Sequence, residues 1–148
     1  MQRSLIHNRK ASFDFEIIER LIAGVELFGH EVKSLKAHHG SLEGSFVATR
    51  GGEAFLLNFN LPPYQAANTA VDYDPLRPRR LLITKDEIER LANLERKKGL
   101  TVVPLALYLI GRKIKVEIAI VRGKKKFDKR QTLRERTSKR EMERTLKN

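Results

Sequence analysis

The chain has no cysteine. That excludes disulfides, thiolate metal sites and cysteine nucleophiles, and it fits a reducing, cytoplasmic setting. It also lacks a long apolar run and a signal-peptide pattern, and its basic C-terminal stretch has no strongly apolar face, so no membrane attachment is expected. No glycine-rich phosphate loop and no nucleophile elbow is present. His38 and His39 are adjacent, which on a helix points them some 100° apart, and no acid or third histidine stands at ligand spacing. Asp72 and Asp74 precede Pro75, a pattern better explained by a turn than by a metal pair. These absences leave a binding protein, with no catalytic residue, no metal and no cofactor expected.

Negative charge is also scarce. Thirty Lys and Arg stand against 18 Asp and Glu in 148 residues, a net charge of +12. Residues 122–148 hold twelve of the cations and four of the acids, so this short tail carries +8. A polyanion is the expected partner, nucleic acid before membrane. Phe127, Leu133, Met142 and Leu146 are the only large apolar residues after Val121. They are too few to offset the entropy of ordering the segment, so a largely disordered tail is expected in the free protein. Its residues are good helix formers, with no Pro and no Gly after Gly123, and Glu141 stands three before Arg144 and Glu143 four before Lys147. It should become helical when phosphates cancel its self-repulsion.

Residues 1–121 have enough apolar content for one domain, and the pattern is mainly β. Residues 1–11, with Arg3, Arg9 and Lys10, look like a flexible basic arm. From Phe13 the period is two, with Phe13, Phe15 and Ile17 on one side; Ile17-Ile18 suggests a bulge or bend and Gly24 another. Phe28, Val32 and Leu35 give one helix face between about His30 and His39, with Gly40 as its stop and with Glu31, Lys33 and Lys36 away from the core. Residues 45–50 and 53–61 read as strands joined at Gly51-Gly52, with Phe55, Leu57, Phe59 and Leu61 as one buried row. A loop over 64–80 carries Arg77, Arg79 and Arg80, and Leu81–Ile83 reads as a short strand. Thr84 and Glu87 form a capping box for a helix with Ile88, Leu91 and Leu94 as its stripe, stopped at Gly99. Two strands follow around Gly111-Arg112, the first with Val103, Leu105, Leu107 and Leu109 on one face, the second with Ile114, Val116, Ile118 and Ile120 inward and Lys115 outward. The expectation is an OB-fold-like closed antiparallel β-barrel with about two helices and a basic C-terminal tail.

Several strings in colinear order then carry a resemblance. They are Asn8-Arg-Lys-Ala11 with Phe13-Asp-Phe-Glu-Ile17; Ala23-Gly-Val25 with Gly29-x-Glu31-Val-Lys-Ser-Leu-Lys36; and Asp74-Pro75 with Arg77-x-Arg79-Arg-Leu-Leu82. Lys98-Gly-Leu-Thr-Val-Val-Pro-Leu105 and Gly123-Lys-Lys-x-x-Asp-Lys-Arg130 complete them. Together they resemble the SsrA-binding protein (SmpB) family. The resemblance implies an OB-fold adaptor, monomeric and cytoplasmic, that binds the tRNA-like domain of transfer-messenger RNA. It further implies delivery of that RNA, with elongation factor Tu-GTP bound to the RNA, to stalled ribosomes for trans-translation. There the body lies at the small-subunit decoding centre and the tail becomes a helix in the empty mRNA channel. The alternative is a general ribosomal or single-stranded RNA-binding OB-fold protein.

By position, the resemblance places RNA contacts on Asn8, Glu31, Leu82, Lys115, Lys124 and Lys125, and ribosome contacts on Phe127, Asp128, Lys129 and Arg130. Asn and Glu can hydrogen-bond base or ribose edges, and lysines neutralise phosphates. For Glu31 the competing explanation is an ion pair with Lys33 or Lys36, which if exposed would contribute under about 1 kcal/mol. The chain departs from the family pattern at Phe127, where histidine or tyrosine is common; a phenyl ring can stack on a base but not hydrogen-bond, and the alternative is docking on the barrel rim. It departs also at His38-His39-Gly40, at Thr137 and at Thr84.

Overall fold

The computed structural model describes residues 2–65 and 72–123. In chain order these form β1 (Gln2–His7), α1 (Arg9–Asp14), β2 (Phe15–Val25), α2 (Gly29–Lys36), β3 (Phe46–Arg50), β4 (Glu53–Leu57), β5 (Arg79–Leu82), α3 (Lys85–Glu95), β6 (Leu100–Ile110) and β7 (Lys113–Gly123). Local signals place the hairpins. Gly51 and Gly52 close β3–β4 at φ 60° and 77°, and Gly111 closes β6–β7 at 63°, a backbone region that favours glycine. The α3 start is the expected capping box: Thr84 Oγ1 accepts from the Glu87 N–H at 3.2 Å, and Glu87 Oε1 accepts from the Thr84 N–H at 3.0 Å.

All seven strands join one antiparallel sheet in the order β1-β6-β7-β2-β5-β4-β3. The expected closed barrel is not formed, because β1 and β3 end this order and do not pair with each other. The sheet curls until β3 approaches β6, and α3 packs against both. Glu95, the last residue of α3, accepts the Thr49 N–H at 2.6 Å and the Thr49 hydroxyl at 2.9 Å. A side chain thus satisfies an edge donor that strand pairing would otherwise use, and the helix covers the gap.

Three bulges decide which face each strand buries. Ile17 and Glu19 of β2 oppose the adjacent Val121 and Ile120, so Ile18 is the extra residue, as the Ile17-Ile18 break suggests. Leu105 of β6 and Leu5 of β1 are extra in the same way. A bulge reverses the alternation. Phe15 and Ile17 therefore pack with Ala11, Val103, Leu105, Ala119 and Val121 in a small outer core beneath α1. Leu21 and Ala23 beyond the bulge belong to the main core inside the curl, with Leu56, Phe59, Leu61, Leu107, Ile114, Val116, Ile118 and Ile120. The four β6 residues expected on one face are consequently split, Val103 and Leu105 outside, Leu107 and Leu109 inside.

Other expectations are corrected. Gln2–His7 of the basic arm is an edge strand paired to β6, and Arg3 donates to the Lys36 carbonyl at 3.2 Å. Phe13 lies in α1 and not in a strand. In β4 the buried residues are Ala54 and Leu56, not Phe55 and Leu57. Asn58 at φ 58° then shifts the alternation, which is why Phe59 and Leu61 are buried after all. Helix α2 stops at Lys36, before His38 at φ 61°. Gly40 instead allows a close approach: a Cβ there would lie 3.1 Å from Ile6 and Leu61. Arg79 and Arg80, expected in a loop, begin β5.

Candidate nucleic-acid interface

Two of the expected RNA contacts meet on the outer face of the sheet. Leu82 of β5 pairs with Gly24 of β2, and Gly24 pairs on its other side with Lys115 of β7. Opposite residues in a sheet project to one side, so Leu82 and Lys115 flank a position that has no side chain. The gap is needed: a Cβ on Gly24 would lie 3.1 Å from the Leu82 Cβ and 3.6 Å from the Lys115 Nζ. Lys115 makes no ion pair among the described residues, and Leu82 is 48% exposed. Tyr108, Arg20 and His7 continue this face, with the His7 and Tyr108 rings edge-on at 6.2 Å.

Asn8 stands elsewhere and is committed to the fold. Its Oδ1 caps α1 by accepting the Ala11 N–H at 3.3 Å. Its Nδ2 donates to the Pro104 carbonyl at 2.9 Å and the Leu42 carbonyl at 3.3 Å. The side chain pins the β1–α1 junction to the β6 bulge and to the 41–45 turn, so both its polar atoms are in use.

Glu31 lies inside and not on the outer face of α2, with 0% exposure. Its partners are neither Lys33 nor Lys36. Arg79, itself fully buried, donates to Oε2 through Nη2 at 2.6 Å and through Nε at 3.0 Å. Arg77 donates to Oε2 through Nε at 3.1 Å and to Oε1 through Nη2. The Phe28 N–H donates to Oε1 at 2.7 Å, and the Tyr73 hydroxyl lies 2.8 Å from Oε2. Burial pushes the carboxyl up, but the hydrogen bonds from Arg77, the Phe28 N–H, Arg79 and Tyr73 outweigh it and hold the group at about 2. Tyr73 is pushed up to about 12, by burial first and then by its hydrogen bond to Glu31. Arg79 Nη1 also donates to the Phe59 carbonyl at 2.5 Å. This node ties α2 to β5 and to the chain around Phe59 and Tyr73, and its carboxylate faces the protein and not solvent.

Lys124, Lys125, Phe127, Asp128, Lys129 and Arg130 lie outside the described residues. Sequence reasoning missed Tyr73, Arg77 and Arg79 as partners of Glu31. The one local signal was the Arg77-x-Arg79 spacing, which in extended chain puts both guanidinium groups on one side. Among the described residues no three His, Cys, Asp or Glu side chains gather as metal ligands, and no helix is long and apolar enough to cross a membrane.

Comparison with known proteins gives the same architecture a family. A family model described as SmpB protein matches residues 5–148. An SsrA-binding protein from Thermosynechococcus vestitus is 46% identical over 143 residues, covering 97% of this chain and 94% of its own. Another, from Clostridium acetobutylicum, is 46% identical over 145 residues, covering 98% and 93%. A solved structure described as "tmRNA-SmpB: a journey to the center of the bacterial ribosome" superposes with a TM-score of 0.68 at 42% identity, over 82% of this chain and 85% of that one. A match over nearly the full length of this chain and of its relatives means that the chain belongs to the SmpB family of SsrA-binding proteins.

Proposed function

We propose that this protein binds the tRNA-like domain of transfer-messenger RNA and carries it to stalled ribosomes for trans-translation, as an RNA-binding adaptor and not an enzyme. The observation that carries this reading is the family match along residues 5–148, with relatives named for SsrA binding and a related structure of tmRNA with SmpB. The curled sheet serves as an OB-type platform. Leu82 offers apolar contact to an unpaired base, and Lys115, Lys124 and Lys125 neutralise phosphates. Asn8 and Glu31 act indirectly, by holding α1 and β5 in place. Phe127, Asp128, Lys129 and Arg130 meet the small subunit near the decoding centre, and the rest of the tail enters the mRNA channel as a helix. Elongation factor Tu-GTP is engaged through the RNA. The protein works as a cytoplasmic monomer.

A competition gel shift at physiological salt tests the reading. The tRNA-like domain should displace labelled complex at least about tenfold better than ordinary tRNA, within the range by which specific binding exceeds non-specific binding. Equal competition would make the protein a general RNA binder. In the same assay, deletion of residues 131–148 should leave affinity unchanged while abolishing peptide tagging on stalled ribosomes.

A further inference from the structure

The outer face does not end at Leu82. Ile22 precedes Gly24 on the same face of β2, and past the end of the strand Glu26 and Phe28 are exposed while Val25 and Leu27 are half-buried. Arg80 is the next outward residue along β5 from Leu82, and it pairs with Glu26 at 2.9 Å. Ile22, Leu82 and Phe28 are 52%, 48% and 51% exposed, three large apolar side chains on the interior strands β2 and β5 and at the start of α2. Cations accompany them: Lys115 beside Gly24 makes no ion pair among the described residues, Arg80 is shared between Glu26 and, at 3.2 Å, Glu53, and Arg77 is held by Glu31 at the far end.

Phe28 is the aromatic member. The Arg77 guanidinium carbon lies 3.8 Å from the centre of its ring, and His30 stands 5.8 Å away, tilted by 43°. Arg77 cannot swing away freely, because two of its nitrogens are bonded to buried Glu31. The node beneath α2 therefore holds a cation–π pair rigid at the surface. Such a pair has flat faces, little entropy left to lose and positive charge. Unpaired bases stack on aromatic and guanidinium planes, while the flanking cations take the phosphates.

We infer that Phe28, with Arg77 packed on it, is a stacking seat for an unpaired nucleobase of the bound RNA, continuous with the contacts at Leu82 and Lys115. The inference rests on the reading that the protein binds a structured RNA, and it adds the residue that captures a loop base. The seat lies four residues along the chain from Gly24, about 13 Å in extended backbone, so it engages a nucleotide distinct from the one at Leu82.

The chain has no tryptophan, which makes the test direct. Phe28→Trp introduces a single indole at the seat, and Ile110→Trp introduces one at the exposed β6–β7 end as a control. Titration with the tRNA-like domain should quench the first by more than half and leave the second unchanged. Phe28→Ala should weaken binding about fivefold to a hundredfold, the range spanned by one base stacked on an aromatic ring, with its melting temperature unchanged, and Phe28→Tyr should restore it. If the unsubstituted protein fails to bind the RNA, the functional reading itself is wrong. If it binds and Phe28→Ala binds equally, or the Phe28→Trp emission does not respond, the seat does not exist and Phe28 faces another partner or none.

Discussion

Beneath α2 the molecule buries charge, and on the outer face of β2 and β5 it exposes hydrocarbon. Both reverse the usual placement, and the two sites lie on opposite sides of the same arginine. Glu31 and Arg79 are fully buried, while Ile22, Phe28 and Leu82 are each about half exposed. The buried ions present no accessible surface. Removing their charges from water is costly unless every polar atom is matched, and here the carboxylate is matched by two arginines, a hydroxyl and a backbone N–H. The exposed apolar residues contribute little to the interior and are available to a partner. Charge inside sets the geometry, and apolar surface outside uses it.

The sharpest way to break this division is Glu31→Ala. Losing one partner leaves Arg79 buried without its anion, which should cost about 3–5 kcal/mol, read by urea or thermal unfolding. RNA affinity measured well below the melting point should then fall only as the folded fraction falls. A variant as stable as the parent that no longer binds would make Glu31 a direct contact.

Acid and alkali probe the node next. The Glu31 carboxyl is depressed from 4.5 to about 2 on folding. Its contribution is therefore complete above pH 4.5 and is lost as pH falls toward 2, a difference of about 3 kcal/mol. Tyr73 is raised from 10.0 to about 12, so its contribution is complete below pH 10 and is lost as pH rises toward 12. Unfolding free energies across both limbs should be steep in the parent. Glu31→Gln should remove the acid limb and also soften the alkaline one, because Glu31 helps to raise Tyr73. Tyr73→Phe should remove the alkaline limb and weaken the acid one only slightly, since the Tyr73 hydrogen bond is the smallest of those that lower Glu31.

The smallest effect belongs to the outer face. Lys115→Ala should change stability by less than about 0.5 kcal/mol. It should lower the slope of log affinity against log salt by about 0.7–0.9, the share of one phosphate. An unchanged slope would remove Lys115 from the interface.

What could be read from residues alone follows the range of the forces involved. The turns at Gly51-Gly52 and Gly111, the α3 capping box and the β2 bulge at Ile17-Ile18 depend on neighbours a few positions away, and all are present. The Leu105 bulge was hidden because β6 is apolar on both faces, so no alternation existed to break. The phase of β4 was misread because one residue, Asn58, takes a left-handed conformation that no local pattern required. Edge strand β1 looked like an arm because its pairing partner, β6, lies about a hundred residues on. Glu31 was misplaced for the same reason: its side-chain partners stand 42–48 positions away, and only the nearby Lys33 and Lys36 were weighed as ion-pair partners. On the outer face, the positions of Leu82 and Lys115 came from the family pattern, but their meeting across Gly24 is a property of strand order.

Strand β7 runs unbroken from Lys113 to Gly123, while the strands on either side of it each carry the bulge. Lys115 lies near one end, and Gly123, paired with Phe15, closes the other. Eight extended steps separate them, about 27 Å. The strand is thus a ruler: it sets a constant span between the lysine at the outer face and the point from which the basic C-terminal segment departs.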